Sequence, residues 1–442
     1  MLPGLFSFFR NKQFQSLLGN VVSAVFNVLS FAILVRLLSL DDFGIWVIFT
    51  TTYNILDQVR TGLLQSGLIK FYSGAEAQAA KTVAGAAWHV ALLLTAAYIV
   101  LSLAGAFVAT PWLDANWRFF IPWLGILTLL SLPMNFATWV LQAENRFHQI
   151  VYIRIAQNGS FLVLVGILWL TGQVTLPNVL YAYAASMAVS SLYCLARRWT
   201  GIRNIVFRTR QQAMELYRYG RLIIGSILSS SLINYTNNMV ILTMLGSAKV
   251  ALFSIPQKFM EVIEILLRSF VATAQPTISA AANRNDPKAV AIAFCRYTGT
   301  VTILIIPCIV GMLLFTEPLI ILLADKEYLE ARHVVRITLL TAILWPLDRF
   351  NGVTLDMINL PQVNFFKNML KLVLNALFAV VLTWIFPDII SVAIAGFLHI
   401  VFAVGYGYHI MKKHTAVNFA DIWKYGWAEF RQLVNKVLKL SH

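Results

Sequence analysis

Charge is what this sequence has least of. Asp, Glu, Lys and Arg together make up 12% of its 442 residues, against 59% hydrophobic. A water-soluble chain of that length needs a polar surface that such a composition does not supply. Cysteine is nearly absent as well. Cys194, Cys295 and Cys308 lie in or near apolar runs, with neither zinc-ligand nor redox spacing, and read as small hydrophobes. Acidic residues are scarcer than basic ones, 19 against 34, for a formal net charge of +15. There is no nucleotide-binding loop, metal-ligand cluster or nucleophile with a positioned base, so the residues call for no cofactor and for no ATP motor.

What is abundant is long apolar runs. A helix needs about 20 apolar residues to cross the hydrocarbon core of a bilayer. Twelve stretches qualify: 14–35, 43–69, 83–110, 119–141, 149–171, 177–195, 218–245, 249–280, 289–315, 331–357, 363–386 and 389–410. They lack the ten-residue alternation of barrel strands. The first follows the polar stretch Arg10–Gln13 and ends at Arg36 without a small-residue cleavage site, so it predicts a retained helix rather than a signal peptide. The expected fold class is an all-α polytopic membrane protein.

The few charges give this chain a direction. Basic residues recur in alternate gaps: Arg10 and Lys12, Lys70 and Lys81, Arg146 and Arg154, seven arginines from Arg197 to Arg221, Arg284 and Lys288, Lys367 and Lys371, Lys412 and Lys413. The other gaps hold Arg36 with Asp41 and Asp42, Asp114 with Arg118, no charge over 171–177, Lys249, a mixed set over 317–332, and Asp388. By the positive-inside rule both termini are cytoplasmic. The arginine-rich connection divides the chain into six helices (1–196), a basic linker (197–217), six more helices (218–410) and a tail (411–442).

In the tail, Ile422, Trp423, Trp427, Phe430, Val434, Val437 and Leu438 recur at helical spacing among Lys424, Arg431, Lys436 and Lys439. This predicts an amphipathic helix on the inner leaflet, with docking against the protein's own cytoplasmic loops as the rival. The halves also echo each other. Displaced by 207 residues, Asn27 falls on Asn234, Leu38-Ser39 on Leu245-Gly246, Phe43-Gly44 on Val250-Ala251, and Asp57 on Glu264. Internal symmetry of this kind is common in alternating-access transporters.

A second population of charges lies inside the runs, where each must find a partner, face a cavity or snorkel. Asp57 and Arg60 are three apart on one helix face, about 20 Å past Asp42 at 1.5 Å per residue. They form a self-satisfying pair, or Arg60 also meets a water-filled cavity. Lys258, Glu261, Glu264 and Arg268 follow one stripe, which fits an ion-pair ladder or a cavity lining. Asp348 and Arg349 point about 100° apart on a helix, so at least one reaches to a neighbour, with Arg349 expected toward the cavity. Asn27, Asn234, Asn237 and Asn238 fit interhelical hydrogen bonds or a polar cavity wall. Together these residues predict a cavity with several cations, suited to an anionic substrate with sugar hydroxyls more than to an organic cation.

The stretch Arg36-Leu-Leu-Ser-Leu-Asp-Asp-Phe-Gly44-Ile-Trp resembles the R-L-L-S-x-x-x-F-G signature of oligosaccharide flippases. These form the polysaccharide-export branch of the superfamily that also holds multidrug exporters and the lipid II flippase. Glu317-Pro-Leu-Ile-Ile-Leu-Leu-Ala-Asp-Lys-Glu-Tyr328 is similar to that family's stretch before the tenth helix, with Ala324-Asp325 where a glycine is common. An acidic residue frequent in the seventh helix appears here as Asn237 or Asn238, which weakens any inference of proton or sodium coupling.

The resemblance implies twelve transmembrane helices in two six-helix bundles of a multidrug-exporter-like, alternating-access fold in a bacterial inner membrane. It implies a V-shaped, inward-opening cavity between rocking halves. There Arg60, Lys258, Arg268 and Arg349 would attract the diphosphate of a polyprenyl-linked oligosaccharide, with Asp57, Glu261, Glu264 and Asp348 as charge partners. The product would feed O-antigen, capsule or exopolysaccharide assembly, alongside a glycan polymerase or other assembly proteins, and nucleic acid is not a partner. A cation-coupled multidrug antiporter of the same superfamily is the main alternative. A membrane-embedded glycan polymerase or ligase is a further one, with 317–332 as its only candidate outer loop.

Overall fold

The computed structural model describes residues 12–108 and 115–440. Arg10 and Asp114 lie outside the described residues, as do the side chains of Asn20, Val434 and 436–440. Every regular element among the described residues is helical. In chain order they are α1 (Lys12–Leu37), α2 (Leu40–Tyr72), α3 (Ala77–Val108), α4 (Ala115–Ala143), α5 (Phe147–Leu170) and α6 (Leu176–Ala196). A 3₁₀ turn (Ile202–Phe207) leads to α7 (Arg210–Leu245), α8 (Ser247–Asn283), α9 (Pro287–Leu314) and α10 (Thr316–Leu323). A second 3₁₀ turn (Lys326–Ala331) precedes α11 (Arg332–Ala342), α12 (Trp345–Met357), α13 (Pro361–Ile385), α14 (Ile389–His414) and α15 (Phe419–Leu440).

Among the described residues, seven helices are long and apolar enough to cross a membrane: α3, the Trp117–Ala143 part of α4, α5, α6, α9, α13 and α14. At 33, 36 and 37 residues, α2, α7 and α8 are longer still. Polar and charged positions dilute them. The fold is all-α and polytopic.

Local chemistry explains where these helices start. Ser39 caps α2 by accepting the Asp42 N–H at 3.1 Å, and Asp41 and Asp42 sit in the first turn, where the positive end of the helix dipole favours them. Arg36 occupies the complementary last turn of α1. Buried Phe43 meets Phe31 edge-on at 5.3 Å, closing the corner. The Arg36–Gly44 signature is thus the construction of one tight helix corner. Asp286 and Asp388 cap α9 and α14 in the same way.

The run 331–357, read as one span, is broken into α11 and α12. Ile343 and Leu344 close short turns onto Leu340 and Thr341, and Pro346 has no N–H to continue a helix. The mixed-charge gap before it is itself structured by α10 and the second 3₁₀ turn.

The chain divides into two compact units, 1–231 and 232–442. The division falls inside α7 and not in the basic connection at 197–217. In the first unit, Leu63, Leu64 and Leu68 of α2 pack with Ala87 and Trp88 of α3, Phe136 of α4 and Leu216 of α7. Trp88 and Phe136 stack with centroids 4.3 Å apart. In the second unit, α13 packs on α14, α8 on α9, and α12 against α8, α9 and α14.

The tail helix α15 docks on α9, a membrane-length helix, rather than on cytoplasmic loops. Arg296 pairs with Glu429 at 2.6 Å, and Thr300 Oγ1 donates to the Gly426 carbonyl at 3.3 Å.

Candidate functional site

Among the described residues, each unit holds one buried ionic cluster. In the first, α2 carries Arg60 into the core, where it is fully buried. Its Nη2 donates to Asp57 and, at 2.9 Å, to Ser131 Oγ; its Nη1 donates to the Thr128 carbonyl at 2.6 Å and to Thr95 Oγ1 at 3.3 Å. Three helices, α2, α3 and α4, are tied through this one guanidinium. Asn135 Nδ2 donates to both Asp57 oxygens, at 3.1 and 3.2 Å. Asp57 keeps 22% of its side-chain surface exposed and is the cluster's outward member. The cluster is electrically neutral, and Arg60 has its terminal nitrogens committed to protein acceptors.

In the second unit, Asp348 of α12 reaches across to α13. Lys367 Nζ donates to Asp348 Oδ1 at 3.0 Å and to its backbone carbonyl at 3.2 Å, while Lys371 Nζ donates to Oδ2 at 2.5 Å. Lys367 is 2% exposed and Lys371 15%. The two lysines share the Asp348 carboxylate, and Asp356 lies close enough to act on Lys367 and Arg349, so these five side chains together carry one positive charge in surplus. Around them α13 and α14 bury Asn375 and His399. Asn375 donates to Asn237 Oδ1 at 2.7 Å, and His399 Nδ1 lies 3.1 Å from the Ala395 carbonyl. Among the described residues, Asn351 Oδ1, Asn375 Oδ1, Thr354 Oγ1 and Thr383 Oγ1 are buried without a hydrogen-bond partner.

The remaining residues singled out in the sequence are not brought into these clusters. Lys258 pairs with Glu261 at 2.6 Å, and Glu264 with Arg268 at 2.8 Å, as the ladder reading expects. These pairs are less buried than the two clusters, with Lys258 20% and Arg268 68% exposed. Arg349 is exposed and has no ion pair among the described residues; it is Asp348 that crosses to the neighbouring helix. Asn27 and Asn234 are exposed. Asn238 accepts from Gln257 at 3.3 Å.

Lys367 and Lys371 require a correction. Read as loop cations that set topology, they lie within α13 and serve the buried cluster. Arg154 is similar: it stands inside α5, partly buried, and donates to Ser23 Oγ at 2.7 Å. A helical offset of four between Lys367 and Lys371 was the available signal, since it places both on one face. Asn135, the partner of Asp57, gave no such signal. At the end of α2, Tyr72 donates to Glu144 of the α4–α5 turn at 3.0 Å. Burial, with this carboxylate beside it, pushes the phenol up to about 12. Among the described residues no group of three His, Cys, Asp or Glu side chains is placed to hold a metal ion.

A family model described as polysaccharide biosynthesis protein matches residues 33–333, more than half of the chain. The chain belongs to that family. A relative in Haloferax volcanii, the probable low-salt glycan biosynthesis flippase Agl15, is 19% identical over 322 residues, covering 71% of this chain. The match spans 66% of that relative's length, just under two thirds.

Among solved structures, a multidrug resistance transporter of the MATE family in its inward-facing conformation superposes with a TM-score of 0.74 at 15% identity, over 89% of this chain and 95% of the other. The lipid II flippase MurJ, inward closed, gives 0.72 at 11% identity, over 96% and 92%. At such identities the likeness is one of fold. The chain and these transporters share an all-α fold.

Proposed function

We propose that the protein is a flippase that carries a polyprenyl-diphosphate-linked oligosaccharide from the cytoplasmic to the outer leaflet, supplying surface-polysaccharide assembly. The single observation that carries this reading is the Asp348–Lys367–Lys371 cluster. It is a surplus positive charge held within membrane helices of a polysaccharide biosynthesis family member. A buried surplus cation stabilises an anionic ligand and repels a cationic one. Exposed Arg349, on the same helix as Asp348, adds a guanidinium suited to phosphate oxygens. The glycan flippase from H. volcanii supports the same substrate class.

In this reading twelve spans form two groups of six: α1–α6, then α7, α8, α9, α11 with α12, α13 and α14. Both termini are cytoplasmic, following the basic gaps. Transport proceeds by alternating access, driven by a gradient or by the substrate's own concentration. Arg60 and Asp57 brace the first unit. Lys371 and Arg349 attract the diphosphate, while Asn234 and the α8 stripe of Lys258, Glu261, Glu264 and Arg268 offer polar contacts to the glycan.

The test is flipping of a defined lipid-linked oligosaccharide in proteoliposomes. Lys371→Met is expected to slow flipping about tenfold, the loss of one charge-assisted hydrogen bond to a phosphate, in a protein that remains folded. Export of organic cations is a second reading, and its support is the multidrug transporter among the structures of similar fold. Accumulation of a fluorescent organic cation by the same vesicles, with no movement of the glycan lipid, favours that reading and overturns the first.

A further inference from the structure

After α6 and again after α14, the chain folds the following segment back onto a long helix of the same unit, α3 and α9 respectively. Past the end of α6 the chain turns at Gly201 (φ 59°), and its 3₁₀ turn packs against α3. Gly85 of α3 admits it. A Cβ there would collide with the Asn204 carbonyl and stand 3.1 Å from the Arg208 nitrogen. One turn on, Trp88 Nε1 donates to the Thr200 carbonyl at 2.9 Å. Past the end of α14, α15 packs against α9, and Gly299 admits it. A Cβ on Gly299 would collide with the Ile422 carbonyl and stand 2.8 Å from Gly426 Cα. The Arg296–Glu429 ion pair fastens this second contact.

The outer sides of the two collars share a composition without sharing a sequence or a secondary structure. The first exposes Val206 (78%), Ile202 and Phe207 beside Arg203, Arg208 and Arg210. No acidic residue occurs from 197 to 214. The second exposes Phe419, Trp423 and Trp427, each about half accessible, at successive spacings of four, so that they form one stripe. Lys424 and Arg431 flank the stripe, with Arg431 lying 5.6 Å over the Trp427 ring, and Lys412 and Lys413 precede it.

We propose that both collars are membrane-interface anchors, each seating the end of its own unit on an anionic leaflet. Apolar side chains enter the headgroup–acyl boundary, and the neighbouring arginines and lysines meet lipid phosphates. A protein partner would need two unrelated surfaces to match two unrelated collars. A lipid leaflet needs only what the collars have in common, which is exposed apolar groups rimmed by positive charge. This anchoring stands apart from the choice of transported substrate.

Site-directed spin labelling of the full-length protein tests it. With Cys194, Cys295 and Cys308 replaced by serine, a nitroxide is placed at Val206→Cys, at Trp423→Cys or, as a water-exposed control, at Glu76→Cys. The protein is reconstituted in phosphatidylcholine alone or mixed with anionic phosphatidylglycerol. Collisions with oxygen, which concentrates in lipid, are compared with collisions with a water-soluble nickel chelate. At 206 and 423 oxygen collisions are expected to dominate, with an oxygen-to-nickel ratio about threefold higher in anionic vesicles, as expected for basic residues drawn to a negative surface.

Arg203→Gln with Arg208→Gln is expected to abolish that rise at 206 and to leave it at 423. The proposal is overturned if nickel reaches both labels as freely as at Glu76, which leaves the collars to a protein partner. It is equally overturned if the ratio ignores both lipid charge and arginine loss.

Discussion

Asp348→Asn separates the charge reasoning from the packing around it. In the native protein one carboxylate serves two lysines, through Oδ1 at 3.0 Å and Oδ2 at 2.5 Å. Asparagine keeps the shape and one acceptor oxygen, so it satisfies one lysine and leaves both charges uncompensated. Lys367, at 2% exposure, cannot recover water; Lys371, at 15%, recovers part of it. Removing one partner of a buried ion pair costs about 3–5 kcal/mol, and the retained oxygen puts this case near 3 kcal/mol. For a unit of this size each kcal/mol moves the unfolding midpoint by about 2–4 °C, so the midpoint is expected to fall by about 10 °C.

Lys371→Met runs the opposite way. It leaves a neutral Asp348–Lys367 pair and is expected to change stability by less than about 1 kcal/mol. Thermal unfolding of the detergent-solubilised protein, followed by the surviving monodisperse fraction, reads both variants. The reasoning fails if Asp348→Asn unfolds with the wild type, or if Lys371→Met falls as far as Asp348→Asn.

Arg60→Met is expected to destabilise by about 3–5 kcal/mol, since Asp57, Ser131 and the Thr128 carbonyl all lose their donor; an unchanged unfolding midpoint would contradict its bracing role. Arg268→Ala removes an exposed pair and is expected to stay within about 0.5 kcal/mol of wild type in the same assay. Gly299→Ala forces the α15 backbone off α9 and is expected to cost about 1–3 kcal/mol. Limited proteolysis after Thr415 should then release the tail faster than in wild type, and equal rates would show that α15 does not depend on this close approach.

The helices and the Arg36–Gly44 corner were legible in the sequence because apolar runs and capping residues are local signals. Asp57 with Arg60, and Lys258 with Glu261, were legible for the same reason: a spacing of three on a helix brings side chains together whatever surrounds them. Burial was not legible. The α2 pair is drawn into a core and the α8 pairs stay accessible, although both stand in long helices. Lys367 and Lys371 were misplaced because a basic pair near the start of an apolar run has the pattern of a loop cation. What draws them in is Asp348, nineteen and twenty-three residues earlier, and no periodicity connects the two. The α11–α12 break hid inside a continuous apolar run, where Pro346 was its only local mark.

The internal echo of the sequence acquires a physical meaning from these placements. The 207-residue displacement sets Asp57 on Glu264, yet Asp57 belongs to a buried neutral knot and Glu264 to an exposed pair. The same displacement carries Asp348, Lys367 and Lys371 back to Leu141, Ser160 and Leu164, none of them charged. The two units therefore repeat a helical plan without repeating its charges. The first spends its buried arginine on tying α2, α3 and α4 together, and the second concentrates a surplus cation where α12 meets α13. Because Asp348, Lys367 and Lys371 all belong to one unit, their spacing is set by packing within that unit alone. A transporter that must hold an anionic group through a change of conformation needs such a site, one whose geometry does not depend on elements that move apart. Under the proposed flippase reading, Lys371 beside Arg349, more than the exposed Arg268 of α8, is where a substrate's negative charge would be stabilised.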